Sequence, residues 1–170
     1  MRNLFSRIVD SWGTRTTLPA AGYLWIAGML GLLAALETNK IGLYLVPPFG
    51  ATLSILLLLP DATIAQPYAV VAGSVIGASV GTVTSLFGQG LAMAVLAALI
   101  AFAVISLIRA YHPPGVALAI YPILLRPGDW FPLAVVLPFA VTAVGSAALL
   151  SRWVANWPAY PKLLKKAGGE

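Results

Sequence analysis

The sequence predicts an all-α membrane protein: a helical bundle of two three-segment repeats, each holding a half-helix that starts at a Pro-Pro break. Composition is the first reason. Of 170 residues, 60% are hydrophobic and 9% charged, with a mean hydropathy of +0.93, whereas soluble domains carry about 25% charged residues. A soluble core cannot absorb so much apolar sequence. The second reason is pattern. Long runs of Ala, Leu, Val, Ile and Gly lack period-two alternation, which selects helices over an outer-membrane barrel. The third is the pair of breaks, Pro47-Pro48 and Pro113-Pro114.

The chain divides into an N-terminal segment (1–17), an apolar region (18–151) and a basic tail (152–170). Residues 1–17 carry Arg2, Arg7 and Arg15 beside Leu4, Phe5, Ile8, Val9 and Trp12, which reads as an amphipathic lead in the membrane interface. The run Leu18–Leu36 is too long for a signal-peptide core, so it predicts a mature transmembrane helix. It closes at Glu37-Thr38-Asn39-Lys40. The second segment, Ile41–Leu59, is broken by Pro47-Pro48 and closed by Pro60-Asp61. The third, Ala65–Phe87, and the fourth, Leu91–Ile108, are separated by Gly88-Gln89-Gly90. The fifth, Tyr111–Leu125, is broken at Pro113-Pro114 and closed by Arg126-Pro127-Gly128-Asp129. The sixth, Trp130–Leu150, ends before Arg152.

A full span needs about 20 residues. Segments one, three, four and six qualify, though four is short, and two and five do not span as single helices. Proline inside a helix removes a donor and clashes with the preceding turn, but it suits the first turn. Half-helices are therefore expected over Phe49–Leu59 and Gly115–Leu125, each about 18 Å long. The breaks lie about 66 residues apart (47 to 113), which defines repeats 18–87 and 90–151. Three crossings per unit would make the repeats inverted; re-entrant second and fifth segments would give four crossings. Basic residues at both ends place both termini in the cytoplasm under either topology.

A half-helix that starts at membrane depth aims free N–H groups and a positive dipole end at whatever lies beyond it. Two such ends facing each other would hold a small anion without a buried Lys or Arg. The candidate site is therefore Pro47, Pro48, Phe49, Gly50 and Ala51 with His112, Pro113, Pro114 and Gly115, and with Gln66 nearby. His112 is the only histidine. It would stabilise the anion or carry a proton; alternatively it bonds a carbonyl that Pro114 leaves free. Asp61 and Arg109 would pair, or sit as separate interface charges. Gly73, Gly77 and Gly81 form a small-residue row suited to close helix packing. No cysteine, metal-ligand cluster, phosphate loop or nucleophile motif occurs, so neither an enzyme nor a cofactor or metal site is expected. The net charge of +5 sits at the chain ends and does not suggest nucleic acid.

Pro48-Phe49-Gly50-Ala51, Ala65-Gln66-Pro67 and His112-Pro113-Pro114, in this order along the chain, resemble the HPP family of small integral membrane proteins. The resemblance covers about Thr16 to Ser151. It implies a multi-pass protein, and some photosynthetic members of the family are linked to nitrite transport; family descriptions count four transmembrane segments. The chain departs from the family pattern at Tyr68-Ala69, where Arg-Asn is common, and at Gly115-Val116-Ala117, where Ala-Gly-Ala is common. Taken together, the residues and the resemblance imply a transporter or channel for a small anion, nitrite first, in a bacterial inner membrane. Its partners would be lipid and further copies of itself. A membrane scaffold or sensor subunit and a neutral-solute pore are the alternatives.

Overall fold

A computed structural model describes residues 19–36 and 47–162. The N-terminal lead, the Glu37–Lys40 link, the entry into Pro47 and the distal lysines of the tail lie outside these residues. Among the described residues every regular element is helical. They are α1 (Ala20–Leu36), α2 (Pro47–Leu58), α3 (Pro67–Ser85), α4 (Leu91–Leu107), α5 (Pro113–Leu118), α6 (Tyr121–Leu125) and α7 (Leu137–Trp153). A 3-10 turn, Thr63–Ala65, precedes α3, and a π turn, Pro132–Val136, leads into α7.

Prolines set most of the boundaries. Helix α2 begins on Pro47 itself, two residues before the expected start, because the first turn needs no N–H from Pro47 or Pro48. The fifth segment is a correction. It is not one half-helix over 115–125 but two short helices, α5 and α6. Pro122 lacks the N–H that Leu118 would have received, so the ladder tightens. Ala119 and Ile120 bond back three residues, to Val116 and Ala117, before the helix resumes. In the sixth segment Pro138 likewise cannot bond Ala134, and the preceding turn widens, with Leu137 N–H reaching Pro132.

Helix α4 ends in a Schellman motif. Ala110 N–H bonds the Ile105 carbonyl at 2.9 Å and Arg109 N–H bonds Ser106 at 3.1 Å. Arg109 takes the left-handed position at φ 58°, where glycine is the usual occupant.

By length and apolar character, two helices suffice to cross a membrane: Pro67–Ser85 and the continuous Pro132–Trp153. Segments one and four, expected as full spans, are 17 residues each, at the lower limit of the spanning range. The described helices alternate in direction along the bundle. Gly22, near the start of α1, abuts Leu57, near the end of α2. Trp25 meets Trp157 edge-on at 5.6 Å, so the tail returns to the end where α1 starts. Tyr160 O–H donates to the Ala65 carbonyl at 2.8 Å and Tyr68 O–H to Ile108 at 3.2 Å, which brings the starts of α3 and the finish of α4 to that same end. Helix α2 therefore runs antiparallel to α1.

The main core gathers Trp25, Met29 and Leu33 of α1, Phe49, Leu53 and Leu56 of α2, and Phe139 of α7. Phe49 stacks on Phe139 with centroids 4.0 Å apart. Elsewhere the packing is inside-out relative to a soluble protein. Helix α4 buries Ala94, Ala97 and Ala101 and exposes Leu91, Leu96, Leu99 and Phe102. Small residues inside and large apolar ones outside suit association in lipid, where close packing drives helix contact. The glycine row does this most closely. A Cβ on Gly73, Gly77 or Gly81 would strike the carbonyl oxygen of Ala110, Gly115 or Ala119, so α3 and α5 lie backbone against backbone.

Candidate functional site

Backbone contact between α3 and α5 fixes the position of His112. The histidine is the extended residue before α5 (φ −134°, ψ 108°), and its carbonyl takes the Gly115 N–H at 2.8 Å. Its side chain is fully buried. Nδ1 lies 2.8 Å from the Ile64 carbonyl oxygen and Nε2 lies 2.9 Å from Thr52 Oγ1. A carbonyl only accepts, so Nδ1 carries a hydrogen. The Ile64 carbonyl is free for this bond because the residue three further on, Pro67, has no N–H. A proline does release the carbonyl that His112 uses, but it is Pro67 and not Pro114. The neighbouring Ala65 carbonyl takes Tyr160 O–H, so two consecutive carbonyls of the 3-10 turn tie His112 and the tail together.

Thr52 lies six residues before the end of α2, level with His112. The two breaks thus do not meet end to end, as facing helix termini would. Helices α2 and α5–α6 overlap side by side in opposite directions and enclose a cleft of about 500 Å³. Pro47, Pro48, Ala51 and Ile55 line one wall, and Pro113, Pro114, Ala117 and Tyr121 the other. Both Pro-Pro breaks therefore share one cavity, and its lining is mostly apolar.

The remaining expected site residues are placed elsewhere. Phe49 is in the core against Phe139. Gly50 has an open Cβ position, and its carbonyl accepts Ser54 O–H at 2.9 Å. Gly115 is packed on Gly73. Gln66 donates to Pro60 and Ala62 at 2.9 and 3.1 Å and pins the turn between α2 and α3. Asp61 pairs with Lys162 at 3.0 Å, not with Arg109; both partners are more than half exposed, which limits the pair to about 1 kcal/mol or less. Thr52 is the further site residue that the structure brings in; no local feature of the sequence marks it among the other hydroxyls.

Among the described residues no buried side-chain nitrogen or oxygen lacks a partner, and no group of three or more His, Asp or Glu residues comes together. The polar interior at the breaks is small and complete. Its functional groups are one imidazole, one hydroxyl and two carbonyls.

A family model described as the HPP transmembrane region matches residues 14–161. The chain belongs to the HPP transmembrane family. It is accordingly an integral membrane protein, and the matched span of this HPP protein takes in every described helix as well as His112, both breaks and Tyr160. Comparison with curated proteins and with solved structures gives no match.

Proposed function

We propose that this HPP protein is a non-enzymatic transporter or channel for a small inorganic anion, with nitrite as the first substrate to test. The observation that carries the reading is the joining of both Pro-Pro breaks in one cleft, with His112 directly behind it. Irregular backbone at membrane depth is tolerated where it is packed in protein or lines a cavity. The alternating direction of the described helices supports six crossings and two inverted three-segment repeats, an arrangement that places transport sites at the repeat interface. Arg2, Arg7 and Arg15 at one terminus and Arg152, Lys162, Lys165 and Lys166 at the other favour cytoplasmic termini in a bacterial inner membrane. The exposed apolar faces of α1 and α4 are suited to lipid or to a second copy.

Proteoliposomes enclosing a nitrite or pH reporter are expected to take up nitrite, and His112→Ala is expected to reduce the rate. Flux equal to that of protein-free liposomes would refute transport. The apolar lining of the cleft favours a second reading, a scaffold or sensor subunit or a neutral-solute pore. Stopped-flow swelling with a neutral solute, without anion flux, would select the pore; no flux of either kind would leave the scaffold.

A further inference from the structure

The bonding around His112 has one hydrogen too few for all its contacts to hold at once in the neutral ring. Nδ1–H is committed to Ile64. Thr52 Oγ1 lies within bonding distance of both Nε2, at 2.9 Å, and the Pro48 carbonyl, at 3.0 Å. A threonine hydroxyl has a single hydrogen to donate. With a neutral ring, Nε2 is an acceptor and Thr52 must donate to it, leaving Pro48 to its helical N–H partner alone. With a protonated ring, Nε2–H donates to Thr52 Oγ1, and the hydroxyl hydrogen is released to Pro48. Every polar atom is satisfied in both states, which is unusual for a fully buried group.

We propose that Thr52 is the positioning residue of a proton switch: uptake of one proton at His112 Nε2 turns the Thr52 hydroxyl from the imidazole to the Pro48 carbonyl. The proton comes from solvent and returns to it, and no covalent bond of the protein forms or breaks. Pro48 belongs to the first turn of α2 and lines the cleft, so charge at His112 is reported at the cleft wall through a single hydroxyl. The elements against His112 are α2, the 3-10 turn, α3 and the end of α4. Their titratable groups nearest in the chain are Asp61, held by Lys162; Tyr68 and Tyr160, which donate to Ile108 and Ala65; and Arg109 and Tyr111. None of these bonds the ring, which meets only Thr52 and Ile64. The switch deepens the proton-carrying part of the transport reading, but it is read without any transported ion, so failure of one is distinguishable from failure of the other.

Because His112 is the only histidine, nitrogen-15 imidazole spectra of the full chain in micelles report one residue. Labelling proline carbonyls with carbon-13 and phenylalanine with nitrogen-15 isolates two carbonyls, Pro48 before Phe49 and Pro138 before Phe139, and the second serves as a distant control. In the wild type, the neutral ring is expected to carry its hydrogen on Nδ1. The Pro48 carbonyl signal should move as His112 takes up its proton on acidification, while Pro138 stays still. Thr52→Val should abolish the Pro48 response, and Thr52→Ser should restore it. An Nε2–H tautomer, a ring that takes up no proton at any pH at which the protein stays folded, or a Pro48 response that survives Thr52→Val would each overturn the switch. If Thr52→Val does not fold, the wild-type tautomer and the Pro48 shift still decide it.

Discussion

Substituting Gly73 by alanine tests the link between helix packing and the histidine. A Cβ there would stand 2.9 Å from His112 Cβ and would overlap the Ala110 carbonyl oxygen. Carbon–carbon contacts are optimal at about 3.5–4.0 Å, so the backbones must part by roughly 0.6–1 Å. A shift of that size, passed to the ring, stretches its bonds of 2.8 and 2.9 Å beyond the range in which they are strong. Overpacking costs about 1–3 kcal/mol, and weakening a buried hydrogen bond about 1 kcal/mol more. Against this, alanine is favoured over glycine within a helix by about 0.5–1 kcal/mol. A net loss of about 1–3.5 kcal/mol is expected for Gly73→Ala. Gly145→Ala is the matched control. Its Cβ would find nothing within 4 Å, so only the helix-propensity gain of about 0.5–1 kcal/mol remains. Reversible unfolding in mixed micelles, followed by helicity, measures both, and the imidazole spectrum of His112 reports the ring. Equal stability of the two variants, with an undisturbed imidazole signal, would refute the backbone contact between α3 and α5.

Two further expectations concern the ends of the helices. Arg109 holds a left-handed backbone position at the close of α4, so Arg109→Gly should raise stability by up to about 1 kcal/mol in the same unfolding measurement. Tyr160 lies beyond α7, and burial pushes its phenol above the usual range. A group whose folded pKa is raised contributes stability that is present below the unfolded value and lost as pH rises toward the folded one. Wild-type stability should therefore fall as pH rises past about 10, and Tyr160→Phe should lack that part of the fall. At neutral pH the variant should lose about 1 kcal/mol, the value of the bond to Ala65.

The six apolar segments were legible because charges and prolines interrupt them sharply, and three of the seven described helices start on a proline while two more carry one at the second position. The split of the fifth segment is less legible, because it turns on one residue inside an apolar run: Pro122 leaves the carbonyl of Leu118, four residues earlier, without a helical donor. The glycine row was readable as a packing surface, since spacing alone puts Gly73, Gly77 and Gly81 on one face, but its partner was not. The site was least legible of all. His112 bonds Thr52 and Ile64, which lie 60 and 48 residues away in the chain. Nothing local distinguishes Thr52 from the other hydroxyls, and the availability of the Ile64 carbonyl follows from Pro67, in a different motif. The Pro-Pro pairs were read as matched ends, whereas they pass alongside each other, because sequence shows where a helix starts but not how far it overlaps its neighbour.

The doubled prolines have an effect on water. A helix start ordinarily leaves four N–H groups needing a solvent or ligand. In α2 two of them are missing, because Pro47 and Pro48 have no N–H. In α5 the first two are missing as well, and the third, Gly115, is met by His112. The second proline of each pair is buried, where an unmet donor would cost about 1–3 kcal/mol. These helix starts can therefore be buried in protein or lipid without a hydration shell of their own. On the proposed transport reading, an ion reaching the cleft would meet few donors there, and so little to hold it back from leaving.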